Sequence, residues 1–153
     1  MQNGSRVGRG LSALTLAGIA PLLIGNMAAA NDVKVTVTDL RSAKGNVLAC
    51  LTAKPKAFPD CSKDAAAHTA TVKAGTTTTF SFRDVKPGTY AISLLHDENA
   101  NGKADKTLMI PKEGFGFSRD AKVKMGPPKF QAAAFDVGDK PVHQTIRMRY
   151  LFR

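Results

Sequence analysis

The sequence lacks several features that common protein functions require. It contains no tryptophan, only two cysteines and three histidines, and only 12 acidic residues against 22 Lys and Arg. No uninterrupted apolar segment reaches the roughly 18 residues of a membrane-spanning helix. A length of 153 residues favours a single domain. These properties exclude a multidomain enzyme, a membrane channel and a long coiled coil.

Residues 1–30 have the order of a secretory signal peptide. Two arginines give a basic start, residues 11–25 are mostly apolar, and three consecutive alanines ending at Ala30 are small enough for cleavage. A membrane anchor is the weaker alternative, because the apolar part is short and Pro21 interrupts it. We therefore predict cleavage near Ala30, a single mature domain over residues 31–153, and a periplasmic or secreted location.

Cys50 and Cys61 are the only thiols, and both lie in the predicted mature domain. In an oxidising compartment an isolated pair of this kind forms a disulfide. Closing a loop of about 12 residues stabilises a fold by about 3 kcal/mol in the chain-entropy model. A redox pair would have a two-residue spacing, so we predict a structural disulfide.

The formal net charge is +10. A basic domain often binds nucleic acid, but an exported protein rarely meets any, so we expect none as a partner. Two interpretations of the charge stay open: a well-solvated surface, or attraction to anionic envelope polymers or lipid headgroups.

Alternating apolar and polar residues predict strands along most of the chain. The predicted strands cover residues 33–38, 46–52, 69–73, 76–82, 90–95 and 145–150. Only residues 62–67 have a helical composition, for one or two turns. About seven short strands separated by turn residues predict an all-β fold, an antiparallel β-sandwich.

Residues 111–130 interrupt the strand pattern with three prolines and three glycines. We predict one long irregular loop here, and such loops are commonly functional or packed as a lid. Its phenylalanines either fill an open end of the sandwich or, if Phe115 and Phe117 are exposed, bind a sugar ring or an apolar ligand. Four basic residues could receive an anionic group beside them: Arg119, Lys122, Lys124 and Lys129.

Residues 97–105 have the spacing of a calcium-binding loop. Oxygen-bearing side chains alternate along it, a glycine allows the sharp bend, and one main-chain carbonyl completes the set. The predicted ligands are Asp97, Asn99, Asn101, the carbonyl of Lys103, and Asp105, with Gly102 at the bend. The usual glutamate at the twelfth position is replaced by Leu108, so we expect an affinity of roughly 10⁻⁴–10⁻³ M. A metal-free turn is the alternative, because Asn-Gly also favours hairpins.

Residues that could support catalysis are few. His68, His96 and His143 are widely spaced and form no metal-ligand pair. His96 beside Asp97, with Glu113, could act as a base in a weak hydrolase or lyase, but no nucleophile is identifiable. We expect no enzyme activity, and no cofactor other than calcium.

Four segments together resemble the exported family called domain of unknown function 2141: residues 82–90, 96–105, 110–118 and 126–130. The resemblance extends over roughly residues 32–150. It implies a small β-sandwich of the immunoglobulin or transthyretin type, and it implies no assigned activity. One departure concerns Ala100, where the family usually has glycine, so the calcium loop requires Ala100 to adopt a backbone conformation that glycine favours.

These observations predict a non-enzymatic binding module. We expect its ligand at one end of the sandwich, where the 97–105 loop and the 111–130 loop meet. The expected partner is an envelope glycan, peptide or anionic polymer. A structural or accessory envelope protein without a ligand site is the main alternative, and a weak hydrolase using His96 and Asp97 is the second.

Overall fold

A computed structural model describes residues 31–104, 106–107 and 110–151. The predicted signal peptide and the predicted ligand Asp105 lie outside these residues. Ten strands are described: β1 (Asn31–Thr38), β2 (Asn46–Thr52), β3 (His68–Lys73), β4 (Thr78–Val85), β5 (Gly88–Asp97), β6 (Lys106–Thr107), β7 (Ile110–Pro111), β8 (Gly114–Phe117), β9 (Phe135–Val137) and β10 (Val142–Arg147). A 3₁₀ turn (Ser118–Asp120) and a short helix α1 (Phe130–Ala133) complete the described elements.

The strands form two facing sheets, which confirms the predicted all-β sandwich. The smaller sheet has the order β10-β1-β4, and the larger has the order β3-β2-β5-β8, with β9 also pairing with β5. β6 and β7 form a separate two-stranded ribbon. One pair departs from the predicted antiparallel arrangement, because β1 and β10 run parallel. Within the described residues no helix is long and apolar enough to cross a membrane.

The core between the sheets follows from the alternation in the sequence. In β1 the three valines at 33, 35 and 37 are fully buried, while the lysine and threonines between them face outward. They meet apolar residues from the larger sheet, mainly Val47, Leu51, Ile92 and Leu94. The predicted strands of this part are therefore confirmed.

The predicted 111–130 loop is wrong in part, because Gly114–Phe117 forms strand β8, which pairs with β5. Its glycines face the C-terminal part of the chain, where there is no room for a side chain. A Cβ on Gly114 would collide with the Tyr150 ring, and one on Gly116 would lie 2.8 Å from Ile146 Cγ2. The alternating phenylalanines consequently point to the opposite face of the larger sheet.

A second apolar cluster covers that outer face. It joins strand residues to the segment after β8 and consists of Ala91, Phe115, Phe117, Ala121, Phe130 and Ala133. Ser118 supplies a hydrogen-bond partner for β5 in the gap between the end of β8 and the start of β9. Its Oγ accepts the Ile92 N–H at 2.9 Å and donates to the Ala133 carbonyl at 2.5 Å.

The segment between β2 and β3 packs on the same outer face. The predicted Cys50–Cys61 disulfide is present, with 5.9 Å between the Cα atoms. The predicted helix at 62–67 is wrong: these residues form turns. Asp64 organises them by accepting a hydrogen bond from Thr52 Oγ1 at 2.6 Å and pairing with Lys54 Nζ at 2.8 Å. These contacts with Lys54 and Thr52 lower the pKa of the Asp64 carboxyl.

Candidate functional site

A groove of about 1060 Å³ lies on the outer face of the larger sheet. Four neighbouring strands supply its floor through their outward-facing side chains. These floor residues are Leu48, Cys50, Thr69, Thr71, Ser93, Leu95, Phe115 and Phe117. The floor is mostly apolar because β2 and β5 carry apolar residues on both faces, as their continuous burial shows.

Three loops and Leu151, near the C-terminus, form the walls of the groove. Pro59 and Asp60 come from the disulfide-linked segment, Gly102 and Ala104 come from the 97–105 loop, and residues 123–127 form a third side. The 97–105 loop and part of residues 111–130, which were expected to meet, both line this groove. The groove lies over the face of the larger sheet, not at an end of the sandwich.

The three phenylalanines of residues 111–130 are largely buried. Phe115 and Phe117 are only 9% and 6% exposed. Phe58 packs against them and against Phe130, with ring centroids 5.7 Å from Phe117 and 6.0 Å from Phe130. The exposed aromatic surface considered for a sugar ring is therefore wrong, and so is the alternative that these rings fill an end of the sandwich. They cover the outer face of the larger sheet.

The predicted basic residues divide into two groups. Lys122, Lys124 and Lys129 are exposed, and Lys124 lines the groove. Every ion pair among the described residues involves other basic side chains. Arg119 is different, because its guanidinium donates to the Ala134 carbonyl at 3.2 Å and it does not line the groove. Lys124 is therefore the predicted basic residue that the structure places in the lining of the groove.

In the 97–105 loop, the oxygens of the predicted calcium ligands are tied to the loop backbone. Asp97 is 1% exposed, and its two carboxylate oxygens accept the N–H groups of Asn101 at 3.1 Å and Gly102 at 2.7 Å. Asn99 Oδ1 accepts the Asn101 N–H at 3.1 Å, and Asn101 Oδ1 accepts the Lys103 N–H at 2.8 Å. Each carboxylate oxygen of Asp97 has a second lone pair beyond the one used by its main-chain hydrogen bond.

The backbone of this loop takes the conformation that the family resemblance requires. Ala100 has φ of 56° and Gly102 has φ of 75°, both in the left-handed region. This region disfavours a residue with a Cβ and is readily adopted by glycine. Among the described residues, no three His, Cys, Asp or Glu side chains converge on one point. Among the described members of the predicted ligand set, Asp97 is the carboxylate, and Asn99, Asn101 and the carbonyl of Lys103 are neutral oxygen donors.

His96 is fully buried. Its side chain points away from the groove, into the space between the two sheets. Its Nε2 lies 2.9 Å from the Lys44 carbonyl, which can only accept, so Nε2 carries the proton. Nδ1 then accepts from the Tyr150 hydroxyl at 2.6 Å. Glu113 is also buried, and neither it nor His96 lines the groove. The structure therefore places neither His96 nor Glu113 at the surface of the groove.

A further polar cluster, which the sequence did not predict, lies beside His96. Arg41 Nε donates to Glu98 Oε2 at 2.9 Å, and Ser42 Oγ donates to Glu98 Oε1 at 2.7 Å. The Arg41 guanidinium also lies 4.5 Å from the centre of the Tyr150 ring. The hydrogen bond from Arg41 holds the pKa of the Glu98 carboxyl below its ordinary value, while burial raises the pKa of Tyr150. Nothing in the local sequence signals these contacts, because the partners are distant along the chain.

Fold and groove together define the chain as a small all-β sandwich with one covered outer face. A family model described as "Uncharacterized protein conserved in bacteria (DUF2141)" matches residues 35–145. The chain therefore belongs to this family, which confirms the resemblance found in the sequence. No curated protein and no solved structure matches the chain.

Proposed function

We propose that this protein is an exported, non-enzymatic binding module whose ligand, a component of the cell envelope, lies in the groove. The observation that carries the proposal is the groove itself, about 1060 Å³ in volume, with a floor from four strands and walls from separate loops. Ligand sites are usually concave, largely pre-formed and lined mainly by apolar side chains with a few polar groups. The groove has this composition.

The burial of the aromatic residues narrows the ligand class. Glycan sites commonly offer an exposed aromatic face, and Phe115 and Phe117 are too buried to provide one. The floor instead favours a ligand with an apolar part, either an apolar peptide side chain or an aliphatic chain. The oxidised Cys50–Cys61 pair supports export, because disulfides persist in oxidising compartments.

The absence of enzyme activity is part of the proposal. Both ring nitrogens of His96 have partners, and both carboxylate oxygens of Asp97 accept main-chain N–H groups. A general base must reach the proton that it removes. These two residues, which the weak-hydrolase alternative requires, are committed to structural hydrogen bonds.

Binding of an apolar ligand is tested with N-phenyl-1-naphthylamine, a neutral dye whose fluorescence rises in an apolar site. The wild-type protein should raise the fluorescence, and Thr71→Trp should abolish the rise because the indole occupies the groove beside Leu48, the residue paired with Thr71. Thr145→Trp is the matched control, since Thr145 is also exposed on a strand but lies on the smaller sheet. No fluorescence rise, or an equal loss in both variants, would refute the proposed groove.

Calcium binding by the 97–105 loop is the second part of the proposal. Two features of the loop support it. Main-chain N–H groups hold the side-chain oxygens of Asp97, Asn99 and Asn101 by hydrogen bonds, and the backbone at Ala100 is left-handed. We expect millimolar calcium to raise the melting temperature of the wild-type protein, with heat measurable by calorimetry. Asp97→Asn should remove the effect, and Asp136→Asn, an exposed carboxylate on β9, should retain it. An identical melting temperature with and without calcium would remove the ion from the proposal.

A structural or accessory role is favoured by one observation, the edge of the larger sheet. Within the described residues β3 pairs only with β2, so its other edge offers main-chain groups to another chain. Concentration-dependent association in analytical ultracentrifugation, lost on Thr71→Pro, would support this role. A monomer at all concentrations would oppose self-association through this edge.

A further inference from the structure

We infer that the groove takes a single-chain anionic amphiphile, an unbranched aliphatic chain that ends in a carboxylate or phosphate group. This inference rests on the proposed function and deepens it by naming the chemical class of the ligand. Three independent properties of the groove carry it: which apolar side chains are exposed, which polar groups are already used, and where unpaired charge lies.

The exposed apolar side chains are concentrated at the groove. Within the described residues two large hydrophobic side chains remain exposed. Met125 is fully exposed, and Leu151 is 54% exposed. Both line the groove. Covering apolar surface is favourable in proportion to its area, so a ligand lying against these walls gains binding energy without rearranging the core. Met is also well suited to flexible aliphatic ligands, because it is unbranched and polarizable.

The polar groups at the centre of the floor, on β2 and β5, have little left to offer a ligand, and the exposed hydroxyls of Thr69 and Thr71 lie on the edge strand β3. Ser93 Oγ already donates to the Pro59 carbonyl, and Cys50 is oxidised. No buried side-chain nitrogen or oxygen among the described residues lacks a hydrogen-bond partner. Over these central strands, a ligand rich in hydroxyl or amide groups would lose hydrogen bonds to water and find few partners in return. A hydrocarbon chain has no such groups to satisfy.

The positive charge at the rim of the groove favours a ligand whose polar end is negatively charged. Lys124 lines the groove, and Lys122 and Lys129 are exposed on the same segment, without a carboxylate partner among the described residues. The acidic residue of the described lining is Asp60, on the disulfide-linked segment, where its carboxylate accepts from Ser62 N at 2.9 Å and Ser62 Oγ at 2.7 Å. The lysine segment carries three positive charges against this one carboxylate, so the rim attracts an anionic group.

Competition against N-phenyl-1-naphthylamine tests the inference with three ligands that share one chain. Dodecanoate, dodecanol and dodecyltrimethylammonium are compared as monomers, below their micelle concentrations. We expect dodecanoate to displace the dye at the lowest concentration and the cation to require the highest. A solvent-exposed ion pair changes affinity by up to about fivefold, so Lys124→Gln should weaken dodecanoate by about that factor and leave dodecanol unchanged. Lys34→Gln, an exposed lysine on β1, should change neither.

The possible outcomes separate the inference from the proposed function. Equal displacement by dodecanoate and dodecanol, or equal weakening of both in Lys124→Gln, would overturn the anionic ligand while leaving the groove as a binding site. Stronger displacement by an apolar peptide than by any amphiphile would also overturn it. Binding to phosphatidylglycerol vesicles without displacement by monomeric dodecanoate would assign the lysines to a membrane surface and overturn it too. Failure of the dye itself to bind would refute the proposed function.

Discussion

The two sheets of this sandwich differ in what their outer faces carry. The smaller sheet presents a bare polar face on which lysine, arginine, threonine and serine alternate with the buried valines. On this face Thr36 Oγ1 lies 2.9 Å from His143 Nε2, an exposed contact. The outer face of the larger sheet is apolar and covered by two segments of the chain, except at the groove. The comparison teaches that the apolar outer residues of β2 and β5 mark a surface that other parts of the chain, or a ligand, must cover.

Removing the disulfide should have the largest effect, because it releases one of the two covering segments. In a variant carrying Cys50→Ala and Cys61→Ala we expect the free energy of unfolding to fall by about 3 kcal/mol. Dye binding should weaken as well, since Pro59 and Asp60 would no longer be held against β2. Urea denaturation measures the first effect and fluorescence the second. Reductant should destabilise the wild type similarly but leave the double variant unchanged; equal sensitivity of both would contradict the prediction.

Gly116→Ala tests how β8 is held between the covered face and the core. The new methyl group would lie 2.8 Å from Ile146 Cγ2 and 3.1 Å from the Arg147 carbonyl oxygen. Overpacking of this kind destabilises a fold by about 1–3 kcal/mol, and thermal denaturation would detect it. Gly138→Ala is the matched control, because nothing lies within 4 Å of its added methyl group. A melting temperature equal to that of the control would show that β8 has room to shift.

Ser118→Ala and Ser81→Ala together compare the contribution of a serine on each of the two outer faces. Loss of the Ser118 hydroxyl leaves the buried Ile92 N–H without its acceptor, and an unsatisfied buried group costs about 1–3 kcal/mol. Ser81→Ala, on the bare face of β4, should change stability by less than about 0.5 kcal/mol. Chemical denaturation of the two variants measures the difference. Equal stabilities would mean that water replaces the lost hydroxyl and that the covered face is wetter than its burial indicates.

Much of the fold could be predicted from local patterns. The alternation in β1 and the apolar run of β2 identified their strands, and the only two cysteines identified the disulfide. β8 could not be recognised, because glycine and proline around it are typical of loops. Its glycines are required by Tyr150 and Ile146, which approach only in the folded chain. The parallel pairing of β1 with β10 has no local signal either, because it joins the two ends of the domain.

The candidate site could be predicted less completely. The spacing of oxygen-bearing residues located the 97–105 loop, and the lysines after β8 indicated a basic rim. The sequence could not show that Phe115 and Phe117 are covered, because Phe58 reaches them from the disulfide-linked segment. The ion pair of Arg41 with Glu98 was equally hidden, since it depends on how the β1–β2 connection meets the end of β5.

Ala100→Gly should give the smallest effect and concerns the loop that forms one wall of the groove. At φ of 56° the alanine is strained, so glycine relieves the backbone and should stabilise the protein by less than about 1 kcal/mol, because glycine also loses more entropy on folding. Ala132→Gly, exposed within α1, removes a residue that suits its conformation and should destabilise by up to about 1 kcal/mol. The opposite signs make thermal denaturation decisive despite the small magnitudes. If both variants melt at a lower temperature than the wild type, Ala100 does not hold a left-handed conformation in solution, and the calcium loop loses the backbone that it requires.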